Sequence, residues 1–138
     1  MMSTVGKFII FLGHTFSGRN HDYTMLKAEL PPALDWFVLV QVFVDLGYQG
    51  IQSDYAGDNI HIPHKKPRKS KNNPDPLLTD EQKAENRALS RLRIFVENAI
   101  AGIKRYNILV HRFRNHRDDF ADQVIAVSAA LWNFALSY

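Results

Sequence analysis

Short apolar blocks occupy the first half of this 138-residue chain, and long helical stripes occupy the second. Phe8 to Leu12 is a run rich in Ile and Phe, and with Lys7 before it predicts a short buried strand. Gly18-Arg19-Asn20 is turn-like. Asn20 or Asp22 can cap a helix to about Glu29, which Pro31-Pro32 ends. Phe37 to Val44 is apolar apart from Gln41 and rich in Val, the pattern of a central strand buried on both faces of a parallel or mixed sheet. It stops at Asp45, with Gly47 and Gly50 following. Asn59 to Ile62 reads as a short edge strand before Pro63. His64 to Pro76 is polar and basic with three Pro, hence a loop. Thr79-Asp80-Glu81-Gln82 is a capping box, and the helix it opens runs to about Tyr106, with Gly102 tolerated inside it. A last helix starts near Asp118 or Asp119 and is strongly apolar from Val124 to Leu136.

On a helical wheel of residues 80–106, Leu89, Leu92, Val96, Ala99, Ile100 and Ile103 form one stripe that faces a core. Asn86, Ser90, Arg93, Glu97 and Lys104 form a second stripe about a quarter-turn away, which sets Glu97 at the border of the core face. Arg93 and Glu97 are spaced i,i+4, so an ordinary ion pair accounts for them, contributing about 0.3–0.5 kcal/mol when exposed. Trp36 and Trp132 are expected in the core.

Composition narrows the classes. Hydrophobic residues make up 46% of the chain, enough for a real core in one domain or part of a larger one. The absence of Cys excludes disulfides and thiolate zinc sites. No secretory signal is evident in Met1 to Gly13, and Trp36 to Val44 is about half the ~20 residues a membrane helix needs, so a cytoplasmic protein without a membrane partner is expected. Lys65, Lys66, Arg68, Lys69 and Lys71 form a run without an acid; removing those five cations from a net charge of +3 leaves the remainder at −2. The positive excess is thus local, as in a loop that contacts phosphate or, equally, in a solvated linker. Arg105, Arg112, Arg114 and Arg117 extend a DNA surface or are ordinary surface charge. His61 and His64 have ligand-like spacing but no partners for zinc.

Asp45 closes a buried strand, a frequent place for chemistry in α/β folds, although an Asp there also serves as a helix cap. Glu97 lies on a later helix whose apolar face suits packing on a sheet. Two carboxylates from separate elements can meet only through the fold. Hard divalent cations favour such oxygens and leave room for phosphate and water.

Three segments together resemble the DDE-type transposases of the insertion-sequence and Harbinger-like groups. They are Thr15-Phe16-Ser17-Gly18 leading to His21-Asp22; Val44-Asp45-Leu46-Gly47-Tyr48-Gln49-Gly50; and Leu78-Thr79 through Asn86-Arg87, Leu89-Ser90 and Arg93-Ile94-Phe95-Val96-Glu97-Asn98-Ala99-Ile100 to Lys104-Arg105-Tyr106 and Arg112-Phe113-Arg114-Asn115. Related bacterial transposases carry a Tyr-Arg-Glu-Lys signature on this last helix; Arg93, Glu97 and Lys104 match it, and Ser90 stands at the Tyr position. The resemblance implies an α/β fold, RNase H-like, with a mixed sheet flanked by helices. It implies Asp45 and Glu97 as catalytic ligands of Mg2+ or Mn2+. It implies Arg93 and Lys104 near phosphate or DNA ends, with transposon ends and target as the DNA; the 64–76 loop, read from its charge, would then hold the DNA backbone. The family's first catalytic Asp lies on a strand that would precede residue 1, so residues 1–138 are expected to be one N-terminally truncated catalytic domain. Asp22 is read as a helix cap rather than a substitute ligand. Three readings stay open: a decayed transposase fragment; the downstream half of a split enzyme, its first Asp coming from an upstream segment; or a non-catalytic DNA-binding module. A homo-oligomer fits any of them. No helix-turn-helix is evident.

Overall fold

The computed structural model describes every residue except Ser17, Asn72 and His116. The chain is mixed α/β, with four α-helices and two two-stranded sheets among the described residues. It divides into two compact units, residues 1–17 with 92–138, and residues 18–91. Among the described residues no helix is long and apolar enough to cross a membrane.

In the first unit, β1 (Met2–Ser3) pairs antiparallel with β2 (Ile9–Phe11). The expected strand from Lys7 is shortened because Lys7 turns the hairpin at φ 68° and donates its amide to Thr4 O at 2.9 Å. Among the described residues no strand flanks β2 on its other side. Instead Asn133 of the last helix donates from Nδ2 to Ile9 O at 2.8 Å and accepts from Ile9 N at Oδ1, 2.9 Å. One side-chain amide thus satisfies both backbone groups of a buried residue.

The core here is Ile9, Ala99, Ile103 and Ala129, with Leu12, Leu109 and Trp132 packed on it. Ala99 and Ile103 belong to the stripe expected from the sequence, and Leu92, Val96 and Ile100 on that stripe are half-buried. Small residues where the helices meet let the Trp132 ring lie against Gly102, and the ring's Nε1 donates to Lys7 O at 2.9 Å.

The last helix, Phe120–Leu136, follows Asp119, which adopts φ 63° and makes no side-chain cap. Asp122 in its first turn accepts instead from Thr15 N at 2.8 Å and lies 3.1 Å from His14 Nδ1. The side-chain hydrogen bond from Thr15, then those from His14 and the Thr15 backbone, hold the Asp122 carboxyl below the usual carboxylate range. A group with a depressed folded pKa stabilises above its unfolded value, and that contribution is lost as pH falls through the folded one. Thr15 amide protection in hydrogen exchange should therefore fall on acidification below the ordinary carboxylate range, and Asp122→Asn should remove that dependence. Unchanged pH behaviour in the variant would exclude Asp122 as the titrating group.

The second unit begins with α1 (Asp22–Glu29). Its N-cap is His21, whose Nδ1 accepts from Tyr23 N at 3.3 Å; this corrects the expected Asn20 or Asp22. Asp22 is the first helical residue, where its charge complements the helix dipole. A short α2 (Ile51–Asp54) follows Gly50, which takes φ 95°, a conformation glycine adopts without a Cβ penalty. Leu30, Phe37, Ile51, Tyr55 and Ile60 are buried here. Tyr55 Oη donates to Leu30 O at 2.6 Å, and the Phe37 and Tyr55 rings are 5.2 Å apart.

The long central strand expected over Phe37 to Val44 is not formed. Only β3 (Val42–Phe43) pairs, parallel to β4 (Ile60–His61), with Val42 opposite Ile60 and Phe43 opposite His61. The preceding backbone turns: Trp36 N donates to Leu34 O and the Trp36 indole to Pro31 O. These turns place Phe37 on Tyr55. Among the described residues β4 is the run's strand neighbour, and Leu39 is left 95% exposed, with Trp36, Val38 and Val40 exposed as well. Trp36 is thus not a core residue.

The third helix, α3 (Asp80–Lys104), contributes residues 80–91 to this unit and 92–104 to the other. Its capping box forms as expected: Gln82 N donates to Thr79 Oγ1 at 3.2 Å and Thr79 N to Gln82 Oε1 at 3.1 Å. The final helix is α4 in chain order.

Candidate active site and basic loop

Asp45 lies two residues past the end of β3, after Val44, whose amide donates to His61 O at 3.0 Å. Its backbone is extended, and its Oδ1 accepts from Leu46 N at 2.6 Å, which opens a single 3-10 turn over Leu46–Tyr48. The carboxylate is exposed at this turn. It therefore closes a parallel-paired strand and caps the next turn at once.

Tyr48, at the end of that turn, has its hydroxyl pKa raised first by burial and then by the charges of Asp22 and Asp45. A Cβ on Gly47 would lie 3.9 Å from Asp22 Oδ2, so the first turn of α1 comes close to the Asp45 turn. From sequence, Asp22 reads as a helix cap within the His21-Asp22 segment of the resemblance. The structure sets it near the same phenol as Asp45, a proximity that no spacing in the sequence signals.

Glu97 is exposed on α3, and its Oε1 lies 3.7 Å from Arg93, an i,i+4 pair. At that length and exposure the pair contributes at most a few tenths of a kcal/mol, about what surface pairs contribute. Lys104 is exposed in the last turn of α3, where a cation complements the helix C-terminus. Asp45 belongs to the unit of residues 18–91, and Arg93, Glu97 and Lys104 to the other.

Mg2+ and Mn2+ suit the hard oxygens of Asp45 and Glu97 in donor type. Among the described residues, however, no group of three or more His, Asp or Glu side chains is gathered as a metal cage. The fit is thus one of chemistry and not of number.

The basic loop carries Lys65, Lys66, Arg68, Lys69 and Lys71, all exposed. Ser70 and Asn73 exchange backbone hydrogen bonds at 3.0 and 3.1 Å and fold part of it into a tight bridge. Asn72 lies outside the described residues, as does Ser17 of the Thr15–Gly18 segment. The loop leaves β4 through His64 and returns at Pro76, which is fully buried. His64 has two partners that its sequence context does not announce. Asn86 accepts from His64 N at 2.7 Å and donates to His64 O at 3.0 Å, and Glu85 Oε2 lies 2.5 Å from His64 Nε2. His61 stacks on Phe43, ring centroids 5.0 Å apart. In the other unit, Arg112 and Arg114 line an open cavity of about 500 Å3 with His111 and Phe113. Arg105 lies over the Trp132 ring at 5.8 Å.

The chain is 36% identical over 129 residues to the probable transposase for insertion sequence element IS702 of Microchaete diplosiphon. That alignment covers 94% of this chain and 42% of the relative, so the chain spans about two fifths of the curated protein it matches. No solved structure matches it. The family of DDE superfamily endonucleases matches residues 1–133, a span that includes the Asp45 turn, the basic loop and the whole of α3. The chain is a member of the DDE superfamily endonucleases.

Proposed function

We propose that this chain is part of a DNA transposase that hydrolyses phosphodiester bonds and transfers strands at transposon ends with a divalent metal. The reading rests on Asp45, an exposed carboxylate at the end of a strand in parallel register with its neighbour. In it, Asp45 and Glu97 would hold Mg2+ or Mn2+, and Arg93, Lys104 and the loop cations would face the DNA backbone. The bound ion supplies polarisation of phosphoryl oxygens and a more acidic water. The protein works wherever its DNA is: in the cytoplasm, and at the nucleoid if the host is bacterial.

Residues 1–138 hold no Asp or Glu before Asp22. With two carboxylates rather than three, metal affinity and in-line geometry both suffer. On its own the chain is therefore expected not to cut or join DNA. Mg2+ or Mn2+ is titrated into the purified chain, alone and with a supplied segment carrying an Asp-bearing strand, and DNA nicking is scored. Activity only with the segment supports a working site awaiting its first carboxylate. Nicking by the chain alone overturns the expected inactivity.

The second reading is a non-catalytic DNA-binding module derived from a transposase. The exposed run of five cations favours it. Its sign is no activity in either arm from a folded chain, with salt-sensitive DNA binding indifferent to Mg2+ and to loss of Glu97.

A further inference from the structure

Five like charges within seven consecutive residues repel one another and extend a loop. If such a loop binds phosphate while unfixed, each contact must also offset the ordering of the segment that makes it. This loop is held at both stems. At the far stem, Pro76 is fully buried and the Thr79–Gln82 capping box follows it into α3. At the near stem, Asn86 pairs with both backbone groups of His64, one residue before the first cation.

The Asn86 pairing repeats the one that Asn133 makes with Ile9 in the other unit. The Asn86 carbonyl takes the His64 amide and its NH2 reaches the His64 carbonyl, as a neighbouring strand would. Both bonds are partly buried, so a failed pairing would leave His64's backbone without full solvation. The adjacent Glu85 carboxylate holds the His64 ring from the same turn of α3. Pro63 and Pro67 bracket the segment and narrow its backbone freedom. The origin of the cationic array is thereby fixed to a 25-residue helix rather than to another loop.

We propose that Asn86 is a positioning residue for DNA binding: by clamping the His64 backbone to α3 it presents Lys65, Lys66, Arg68, Lys69 and Lys71 to the phosphate backbone as one array. The inference rests on the reading of that loop as a DNA contact. Asn86 carries no charge, so its replacement leaves the net charge and the number of cations unchanged. Any loss of DNA affinity then reports on placement and not on charge.

The test is fluorescence anisotropy of the full chain with a labelled duplex of arbitrary sequence, without divalent metal, over a series of salt concentrations. Asn86→Ala should weaken binding roughly fivefold and lower the slope of log Kd against log salt by about one, as when one phosphate is no longer neutralised. Its thermal midpoint should fall by several degrees, as two lost part-buried hydrogen bonds imply, with the chain still folded at the temperature of the binding assay. In a background with all five loop cations changed to Ala, Asn86→Ala should have no further effect, since the two changes act through the same array. Parental affinity and slope in Asn86→Ala would overturn the positioning role. Parental binding by the five-cation variant would instead overturn the DNA reading of the loop. Should Asn86→Ala not fold, Asn86→Ser carries the same test, because its hydroxyl is too short to span both backbone groups of His64.

Discussion

Asp45→Asn and Glu97→Gln should each lower divalent-metal-dependent nicking, in the chain supplemented with an Asp-bearing strand, by at least about a thousandfold, as loss of a catalytic group commonly does. Both substitutions keep the size of the side chain and remove its charge. The amide introduced by Asp45→Asn retains an oxygen to accept from Leu46 N, so the cap and the 3-10 turn behind it survive. Glu97→Gln removes only an exposed 3.7 Å pair with Arg93, a contribution of at most a few tenths of a kcal/mol. A purely structural role for either residue therefore predicts small changes in both stability and activity. The ligand role predicts unchanged stability with nearly abolished activity. Unfolding midpoints and nicking rates measured on the same preparations separate the two, and an Asp45→Asn variant that nicks at the parental rate would remove Asp45 from the site. Asp45→Ala is the poorer probe, because it deletes the cap together with the charge.

Gly102→Ala should destabilise the unit of residues 1–17 and 92–138 by about 3 kcal/mol, at the upper end of what overpacking usually costs. A Cβ at position 102 would lie 2.3 Å from two atoms of the Trp132 ring and 2.6 Å from a third. Real Cβ atoms do not approach other atoms so closely, so the ring must move. It cannot move cheaply: its Nε1 donates to Lys7 O at 2.9 Å, and it packs on the core. Against this stands the gain of about 1 kcal/mol that Ala brings to a helix interior. The clash outweighs that gain, and the urea midpoint should fall. In a Trp132→Leu background the same substitution should become neutral or stabilising. A Gly102→Ala midpoint at or above the parental one would show that the ring has room to yield.

The local signals in the sequence carry over well. The capping box at Thr79 and Gln82 needs only two side chains three residues apart, and it forms as read. The stripe through Ala99 and Ile103 needs only the helical period, and those residues are buried. The basic loop lies between β4 and α3. Gly102 reads in sequence as a tolerated interruption, whereas its lack of a Cβ is what the Trp132 ring requires.

Sequence and structure part company where an outcome depends on a distant neighbour. Phe37 to Val44 has the composition of a buried strand, but a strand forms only as far as another lies beside it, and β4 offers two residues. Trp36 turns outward because its indole finds the carbonyl of Pro31. The Asn86–His64 and Asn133–Ile9 pairings leave no periodic trace, since each depends on one amide reaching one backbone segment far away in sequence. Asp45 is legible as a strand-ending acid. Its neighbours Tyr48 and Asp22 are not legible as a group.

The pairing of Ile9 with Asn133 spans 124 positions, and that separation bears on how the protein is made. On the ribosome, residues 1–17 leave the tunnel before the helix that completes their unit, which is synthesised roughly a hundred residues later. Residues 18–91 are contiguous and can close on themselves in the meantime. The apolar Phe8 to Leu12 segment must then wait with one edge open, at the stage when nascent chains are most prone to associate. Long-range closure of this kind is slow relative to local helix formation. Yield in the cell should therefore depend on translation speed and chaperone supply.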